Sequence, residues 1–203
     1  IENYKPSIDI DPNWESVDLN SLCSLITKGS TPTTYGHKFQ SKGINFIKVE
    51  TISQNNEINI NKMSFVDEKC HNDFKRSQLE KSDILISIAG YVGISAKVSE
   101  EHLPANTNQA LSIIRLNDKR FSDFILNYLQ TKTIQISLQN LKVGVAQSNL
   151  SLEQIKNIKV PKIDIETANK ISNFLLEQKK VISLNKELIN DMKKKIDLIL
   201  NKI

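Results

Sequence analysis

Residues 168–203 read ANKISNFLLEQKKVISLNKELINDMKKKIDLILNKI, and this stretch decides how the chain is organised. It contains neither glycine nor proline, so nothing in it interrupts a helix. Residues spaced alternately four and three positions apart form a heptad seam, which is typical of a coiled coil. The seam consists of Ile171, Leu175, Gln178, Ile182, Asn185, Ile189, Met192, Ile196, Ile199 and Ile203.

A single helix of this kind can cover its apolar seam in two ways. It can lie on the domain that precedes it, as most amphipathic helices do, or it can pair with a second helix. At ~1.5 Å per residue the helix would be on the order of 55 Å long, longer than the preceding domain is expected to be wide. Gln178 and Asn185 would cost stability within the seam but would fix register and partner number. The length and these polar residues favour a helix-pairing device.

The length of 203 residues suits one domain with an appendage, which we place at residues 1–165 and 166–203. A hydrophobic content of 39% and a charged content of 25% are typical of soluble globular proteins. Cys23 and Cys70 form no C-x-x-C motif, which favours a reduced, cytoplasmic setting. Because the chain begins with Ile1 rather than Met, a piece of a longer polypeptide is one interpretation.

Upstream of the helix, the pattern predicts strands first and helices later. Strands are expected at residues 44–49, 84–89, 94–98 and 111–116, with extended pieces at 14–19 and 58–65 and helices at 67–79 and 121–141. Gly90 and Gly93 mark a tight turn that joins two of the strands into a hairpin. Since strand and helix do not alternate regularly, we predict an α+β domain with a twisted, mostly antiparallel sheet.

The distribution of charge is more informative than the net charge of +4. Residues 19–49 contain no acidic residue, and neither do residues 124–152. The first window carries His37 and four lysines, and the second carries two lysines: Lys28, Lys38, Lys42 and Lys48, then Lys132 and Lys142. Lysines without neighbouring carboxylates make a positive surface that suits a phosphate backbone, although many soluble domains have such windows without binding nucleic acid.

The motifs of common enzymes are absent from the sequence. It has no glycine-rich nucleotide loop, no P-loop and no Asn/Asp-Pro-Pro-Tyr/Phe motif of amino-methyltransferases. Glu177-x-Lys179 resembles a nuclease motif but lies inside the predicted helix, where it is interpreted as a solvated face. Cys70 and His71 are adjacent, and sequence neighbours rarely share a metal ion. We therefore expect no catalytic centre, no cofactor and no metal site.

Several short motifs occur in a fixed order along the chain. Each motif alone is weak evidence for a family, but the ordered set is specific. They are Trp14-x-x-Val17-x-Leu19, Gly29-Ser-Thr-Pro32, Phe46-Ile-Lys-Val49, Asp83-Ile-Leu-Ile-Ser87 with Gly90-x-x-Gly93, Asn108-Gln109, Gly144-Val-Ala-Gln-Ser-Asn-Leu-Ser151, Ile155 and Val160-Pro161. In order and spacing this set resembles a target-recognition domain of a type I restriction–modification specificity subunit, followed by that family's spacer helix. Residues 162–168 lack the family's proline-rich link and Glu-Gln pair, so the resemblance does not locate the start of the helix.

The resemblance implies a non-enzymatic, DNA-reading domain. Such subunits carry two recognition domains, each reading one half of a split site in double-stranded DNA. Long helices hold these domains apart and dock DNA methyltransferase subunits, and a restriction subunit is a further candidate partner. Here one domain and one helix imply either a homodimer paired through the helix or one half of a longer specificity polypeptide. Antiparallel self-pairing would give a two-fold dimer and a palindromic split site.

The residues expected to contact DNA fall into two groups. Phosphate contacts are assigned to Lys28, Lys38, Lys42, Lys48 and Lys142. Base-edge candidates are the loop residues Thr33, Thr34, Tyr35, His37, Tyr91, Gln147, Ser148 and Asn149. Structural alternatives exist for several of these residues, since Tyr91 can pack over its hairpin and Asn149 can cap a helix. Asn108 and Gln109 are assigned to the scaffold, and Trp14 to the core.

Two rival functions remain open at the level of sequence. A pure assembly module would use the helix to dock other proteins without binding DNA. The acid-free windows favour the DNA-reading function over this one. The chain could also be the recognition segment of a single-chain methyltransferase–endonuclease, which differs only in what is fused upstream.

Overall fold

The fold is seen in a computed structural model that describes residues 11, 13–53, 55–141 and 149–200. Within these ranges the chain forms nine short strands and five α-helices. The strands are β1 Ser16–Asp18, β2 Cys23–Lys28, β3 Ile44–Ile47, β4 Ser64–Val66, β5 Ile84–Ser87, β6 Ser95–Lys97, β7 Ala105–Thr107, β8 Leu111–Leu116 and β9 Lys159–Pro161. The helices are α1 Glu68–Asp73, α2 Ser122–Leu129, α3 Lys132–Asn140, α4 Leu152–Lys156 and α5 Ile165–Leu200.

The central layer is a four-stranded antiparallel sheet in the order β2-β8-β5-β6. Successive residues of a strand point to opposite faces, and here both faces are buried. Ile84, Ile86 and Ile114 pack on one side with α2, α3 and α4. Leu85 and Ile113 pack on the other side with the second, smaller sheet. Burial on both faces explains why β5 and β8 are nearly continuous apolar runs.

The smaller sheet has the order β4-β3-β7, with β3 antiparallel to β4 and parallel to β7. One face of this sheet contributes Ile47 and Ala105 to the core shared with the central sheet. On its other face, Phe46 and Val66 pack with Cys70 and Phe74 from and just beyond α1. The smaller sheet therefore carries α1 on the side that faces away from the central sheet.

A two-stranded ribbon closes the domain, because β1 pairs antiparallel with β9. Val17 lies opposite Val160, and the Lys162 backbone N–H donates to the Glu15 carbonyl at 2.8 Å. Three residues later α5 begins at Ile165. Asp164 caps this helix by accepting hydrogen bonds from the Thr167 N–H at 2.9 Å and the Thr167 hydroxyl at 2.8 Å.

The first turns of α5 lie against the domain. Ala168 and Leu175 are buried, and Ile165 and Ile171 pack at the edge of the core that contains α2. From Ser183 to Ile199 every side chain is exposed except that of Ile189, which is half-buried. None of the helices in the described part of the chain is long and apolar enough to cross a membrane.

The predicted fold class is confirmed: the chain has an α+β domain, mostly antiparallel sheets and a long C-terminal helix. The strand predicted at residues 111–116 is β8, and the hairpin around Gly90 and Gly93 is β5–β6. The helix begins at Ile165 rather than Ala168, because Asp164 supplies its cap. The domain boundary proposed between residues 165 and 166 stays a prediction.

Other predicted elements are shorter than expected. The helix predicted at 67–79 ends at Asp73, where Phe74 leaves helical geometry and turns its ring into the core. The helix predicted at 121–141 is two helices, because Thr131 caps the start of α3. Of the extended piece predicted at 58–65, residues 64 and 65 lie in β4, while a 3-10 turn occupies Ile60–Lys62. Trp14 is half-buried rather than in the core.

Candidate nucleic-acid interface

The acid-free window of residues 19–49 includes a loop, residues 29–43, that is anchored on the edge strand β7. A side chain at Gly29 would collide with the Thr107 carbonyl oxygen, because a Cβ atom there would lie 1.8 Å from it. The next residue, Ser30, donates its N–H to the same oxygen at 3.2 Å. Thr31 donates its hydroxyl to the Gln109 side-chain carbonyl. In this role Gln109 supports the loop, which agrees with its assignment to the scaffold.

Beyond this anchor the loop forms a 3-10 turn, Pro32–Tyr35, that faces solvent. Thr33, Thr34 and Tyr35 are all exposed, and Tyr35 is 64% exposed. Gly36 ends the turn in the left-handed region with φ of 81°, which glycine adopts without strain. Three of the predicted base-edge candidates therefore share one solvent-exposed turn.

Tyr35 and His37 meet the end of α1 at an open pocket of about 510 Å³. The rings of both residues pack edge-to-face on Phe74, with centroid distances of 5.3 and 5.4 Å. His37 Nε2 lies 3.1 Å from Asp73 Oδ2. The pocket is lined by Ser30, Tyr35, His37, Asp73, Phe74, Arg76 and Ser77. Of these, Tyr35 and His37 were predicted to contact DNA. Asp73, Phe74, Arg76 and Ser77 were not, because their place in the pocket depends on where α1 ends.

The lysines of this window differ in their surroundings. Lys28, Lys38 and Lys42 are exposed, and within the described residues no ion pair engages their ammonium groups. Lys48 instead lies over the Phe39 ring, 4.4 Å from its centroid, and 3.8 Å from Glu50 Oε1. A lysine that is already paired with a carboxylate attracts a phosphate less strongly. Lys48 is therefore the weakest phosphate-binding candidate of the four.

The turn at Tyr91 is held by a different part of the domain. Gln135 and Gln139 of α3 donate side-chain hydrogen bonds to the Gly93 and Val92 carbonyls at 3.0 and 3.1 Å. Tyr91 itself is 80% exposed and does not pack over its hairpin. Within the described residues no hydrogen bond or ring contact joins it to the pocket at His37. The two sets of predicted contacts are thus held by different parts of the domain, α3 for the Tyr91 turn and β7 for the loop of residues 29–43.

The second acid-free window is described only in part. Lys142, Gln147 and Ser148 lie outside the described residues, while Asn149 is exposed. The cap of α4 is Ser151, whose hydroxyl accepts from the Gln154 N–H at 3.1 Å. Asn149 therefore does not cap that helix.

The cysteine thiols and His71 lie in packed parts of the domain. Burial raises the pKa of Cys23 to about 12 and that of Cys70 to about 11, so both thiols are protonated at neutral pH. His71 contacts Asn106 through Nδ1, inside the domain. In the part of the chain that the structure describes, no three His, Cys, Asp or Glu residues cluster as a metal site would require.

The predicted helix seam passes through two environments. Leu175 is buried against the domain, and Ile171, Gln178, Ile182 and Ile189 are half-buried. Asn185, Met192, Ile196 and Ile199 are exposed, and Ile203 lies outside the described residues. A second exposed apolar row, which the seam analysis missed, runs along the helix through Phe174, Val181, Leu184 and Leu188. Its steps of seven, three and four residues repeat the spacing of a helix-pairing face.

Comparison with known proteins identifies the family to which the chain is similar. Residues 12–194 match the family described as type I restriction modification DNA specificity domain. The EcoBI specificity subunit of Escherichia coli is 28% identical over 178 residues, which are 84% of this chain and 35% of that protein. The putative MjaX specificity subunit of Methanocaldococcus jannaschii is 28% identical over an alignment of 205 residues, covering 95% of this chain and 47% of that protein.

Solved structures show the same fold. The HsdS subunit from Thermoanaerobacter tengcongensis superposes with a TM-score of 0.62 at 19% identity, over 89% of this chain and 41% of that one. The S subunit from M. genitalium gives a TM-score of 0.56 at 15% identity, over 94% and 46% of the two chains. This chain spans less than half the length of these relatives. With nearly its whole length matched, the chain belongs to the type I restriction–modification DNA specificity domain family.

Proposed function

We propose that this chain reads one half of a bipartite DNA site as a specificity subunit, or as half of one, and performs no catalysis itself. The observation that carries the proposal is the loop of residues 29–43. It contains no carboxylate, exposes Lys38 and Lys42, and presents Thr33, Thr34 and Tyr35 on a solvent-exposed 3-10 turn. Lysines position a protein on the phosphate backbone, while polar groups on a fixed turn reach base edges.

The long helix supplies the second part of the proposal. The helix exposes Met192, Ile196 and Ile199 in its outer half, together with the row of Phe174, Val181, Leu184 and Leu188, which begins in its first half. Apolar faces of this length on one helix require a covering partner. We assign to this surface a DNA methyltransferase subunit and a second recognition unit, which is either another copy of the chain or the other half of a longer polypeptide. One solved relative is described in the context of complex assembly of the type I restriction–modification system.

The setting proposed for this assembly is the cytoplasm. Both cysteines are free thiols, with Cys70 buried and Cys23 half-buried. Free thiols are usual in the reducing compartment in which a DNA-binding subunit would act.

DNA binding is tested by titrating the chain with duplex DNA at two salt concentrations. Each lost phosphate contact reduces the slope of log K against log salt by about 0.9. The double variant Lys38→Glu, Lys42→Glu removes two phosphate contacts. It is therefore expected to lower the affinity for DNA and to reduce that slope by about 1.8. Lys186→Glu, on the outer half of α5, is the matched control and should leave the slope unchanged.

A result without salt dependence, or without an effect of the double variant, would favour the other candidate function. That candidate is an assembly module that pairs helices without reading DNA. The exposed row of Phe174, Val181, Leu184 and Leu188 is the observation in its favour. The recognition segment of a single-chain methyltransferase–endonuclease would behave as a DNA reader in this assay.

A further inference from the structure

The chain has three arginines among its 27 basic residues, and they are not equivalent. The Arg115 guanidinium donates from Nε and Nη2 to the two Asp83 oxygens, both at 2.8 Å. Arg120 does the same with Asp118, at 2.9 Å from Nε and 2.6 Å from Nη2. In both cases the flat fork of donors that arginine offers is occupied by a carboxylate.

Arg76 is the exception. Its side chain is exposed, and among the described residues no hydrogen bond or ion pair engages its guanidinium. The nearest acidic residue in sequence is Asp73, which lines the same pocket and is held by His37 Nε2. Within the described residues, the Arg76 guanidinium thus keeps its donors free where it lines the pocket.

Hydrogen bonds from two side chains fix the backbone on either side of Arg76. The buried side chain of Asn106 donates from Nδ2 to the Phe74 carbonyl at 3.2 Å and to Ser77 Oγ at 3.1 Å. Gln78 donates from Nε2 to the His71 carbonyl at 2.9 Å. These contacts bracket the 3-10 turn Lys75–Ser77, in which Arg76 lies. An arginine on a fixed backbone loses less freedom when it binds, which suits a contact that must discriminate.

The other walls of the pocket restrict what it can recognise. Tyr35 and Phe74 provide aromatic surface, and Asp73 keeps part of its carboxylate accessible. Among the described residues, neither an asparagine nor a glutamine lines the pocket, and those are the side chains that suit adenine. Guanine presents two acceptors, O6 and N7, at the spacing of an arginine fork, and its partner cytosine presents an N4 amine that suits a carboxylate.

We propose that Arg76 determines one base of the recognition sequence by donating two hydrogen bonds to O6 and N7 of a guanine in the major groove. Asp73, held by His37, lies beside it as the acceptor for the N4 amine of the paired cytosine. This inference rests on the proposed function, because it names the base that the same surface reads. It makes Arg76 a specificity-determining residue rather than a phosphate contact.

The test begins with selection of bound sequences from a random duplex library by the full 203-residue chain. The wild-type motif should contain an invariant guanine, and replacing it should weaken binding about 10- to 100-fold. Arg76→Ala should remove the preference at that position alone, and Arg76→Lys, which keeps the charge but not the fork, should weaken it. Arg120→Ala is the matched control and should leave the motif unchanged.

A second measurement separates base reading from charge. Replacing the selected guanine by 7-deazaguanine removes the N7 acceptor without altering the phosphates. The wild-type chain should lose affinity several-fold, while the Arg76→Ala variant should bind both duplexes equally. Thermal unfolding of Arg76→Ala should match the wild type, because the side chain is exposed.

The failures of the two proposals are distinguishable. If Arg76→Ala weakens all duplexes equally and reduces the salt slope, Arg76 contacts phosphate and this inference is wrong while the chain remains a DNA reader. An unchanged motif in Arg76→Ala also overturns the inference. If the wild-type chain binds no duplex at either salt concentration, the proposed function fails and the inference fails with it.

Discussion

The two halves of α5 have the same heptad spacing but different surroundings. In the first half, Leu175 is 2% exposed because it packs against the domain beside α2. In the second half, Ile196 occupies the equivalent seam position and is 54% exposed. The comparison shows that a heptad pattern predicts an apolar face that needs covering without saying what covers it. One helix here combines both answers. One side of its first half completes the core of its own domain, while its second half and the exposed row that begins at Phe174 are available to a partner.

The largest effect is expected from truncating the seam in the first half. Leu175→Ala leaves a cavity between α5 and the domain, and we expect it to lower the free energy of unfolding by about 2–5 kcal/mol. Ile196→Ala is the matched control, and in the unpaired chain, at low protein concentration, an exposed position should change stability by about 0.5 kcal/mol or less. Chemical denaturation of both variants measures the difference. Equal effects would mean that the two halves do not differ as described.

An intermediate effect is expected from polar substitutions in the second half. We expect the wild-type chain to form a two-chain species, and Ile189→Asp with Ile196→Asp to weaken its association at least tenfold, or about 1.4 kcal/mol. Light scattering across a concentration series measures the association, and denaturation of the domain should be unaffected. A wild-type chain that stays monomeric at all concentrations would contradict self-pairing and leave the second half to another protein.

The smallest effect is expected at the start of the helix. Hydrogen bonds from Thr167 lower the pKa of Asp164 below its usual value of 3.8. Since the folded-state pKa is depressed, the stabilisation is present above 3.8 and is lost as the pH falls through the folded-state pKa. Asp164→Ala should therefore lower the melting temperature by a few degrees at neutral pH and should not differ from wild type in strong acid. Asp191→Ala, in the exposed half of α5, should show no such pH-dependent difference.

Sequence reasoning predicted the elements with strong local patterns. Residues 111–116 form β8 as expected, because an apolar run of that length is buried on both faces. The strands β7 and β9 were missed because three-residue strands are defined by their partners, β3 and β1, rather than by any period. The break between α2 and α3 has a local signal, the capping residue Thr131, that the helical spacing concealed.

The pocket was predictable only in part, since Tyr35 and His37 belong to a loop recognisable from its composition. Asp73, Phe74 and Arg76 join them only because α1 stops where Phe74 turns into the core, which is a tertiary effect. The scarcity of arginine in this lysine-rich chain was the one available signal for Arg76.

The ribbon of β1 and β9 has a consequence for how such domains can be rearranged. Because Ser16 lies opposite Pro161, the polypeptide enters and leaves the folded unit at neighbouring points. A unit whose two connections lie side by side can be exchanged for another of similar outline without moving the scaffold that carries it. The segment between those connections could therefore be exchanged while the long helix that follows it stays the same.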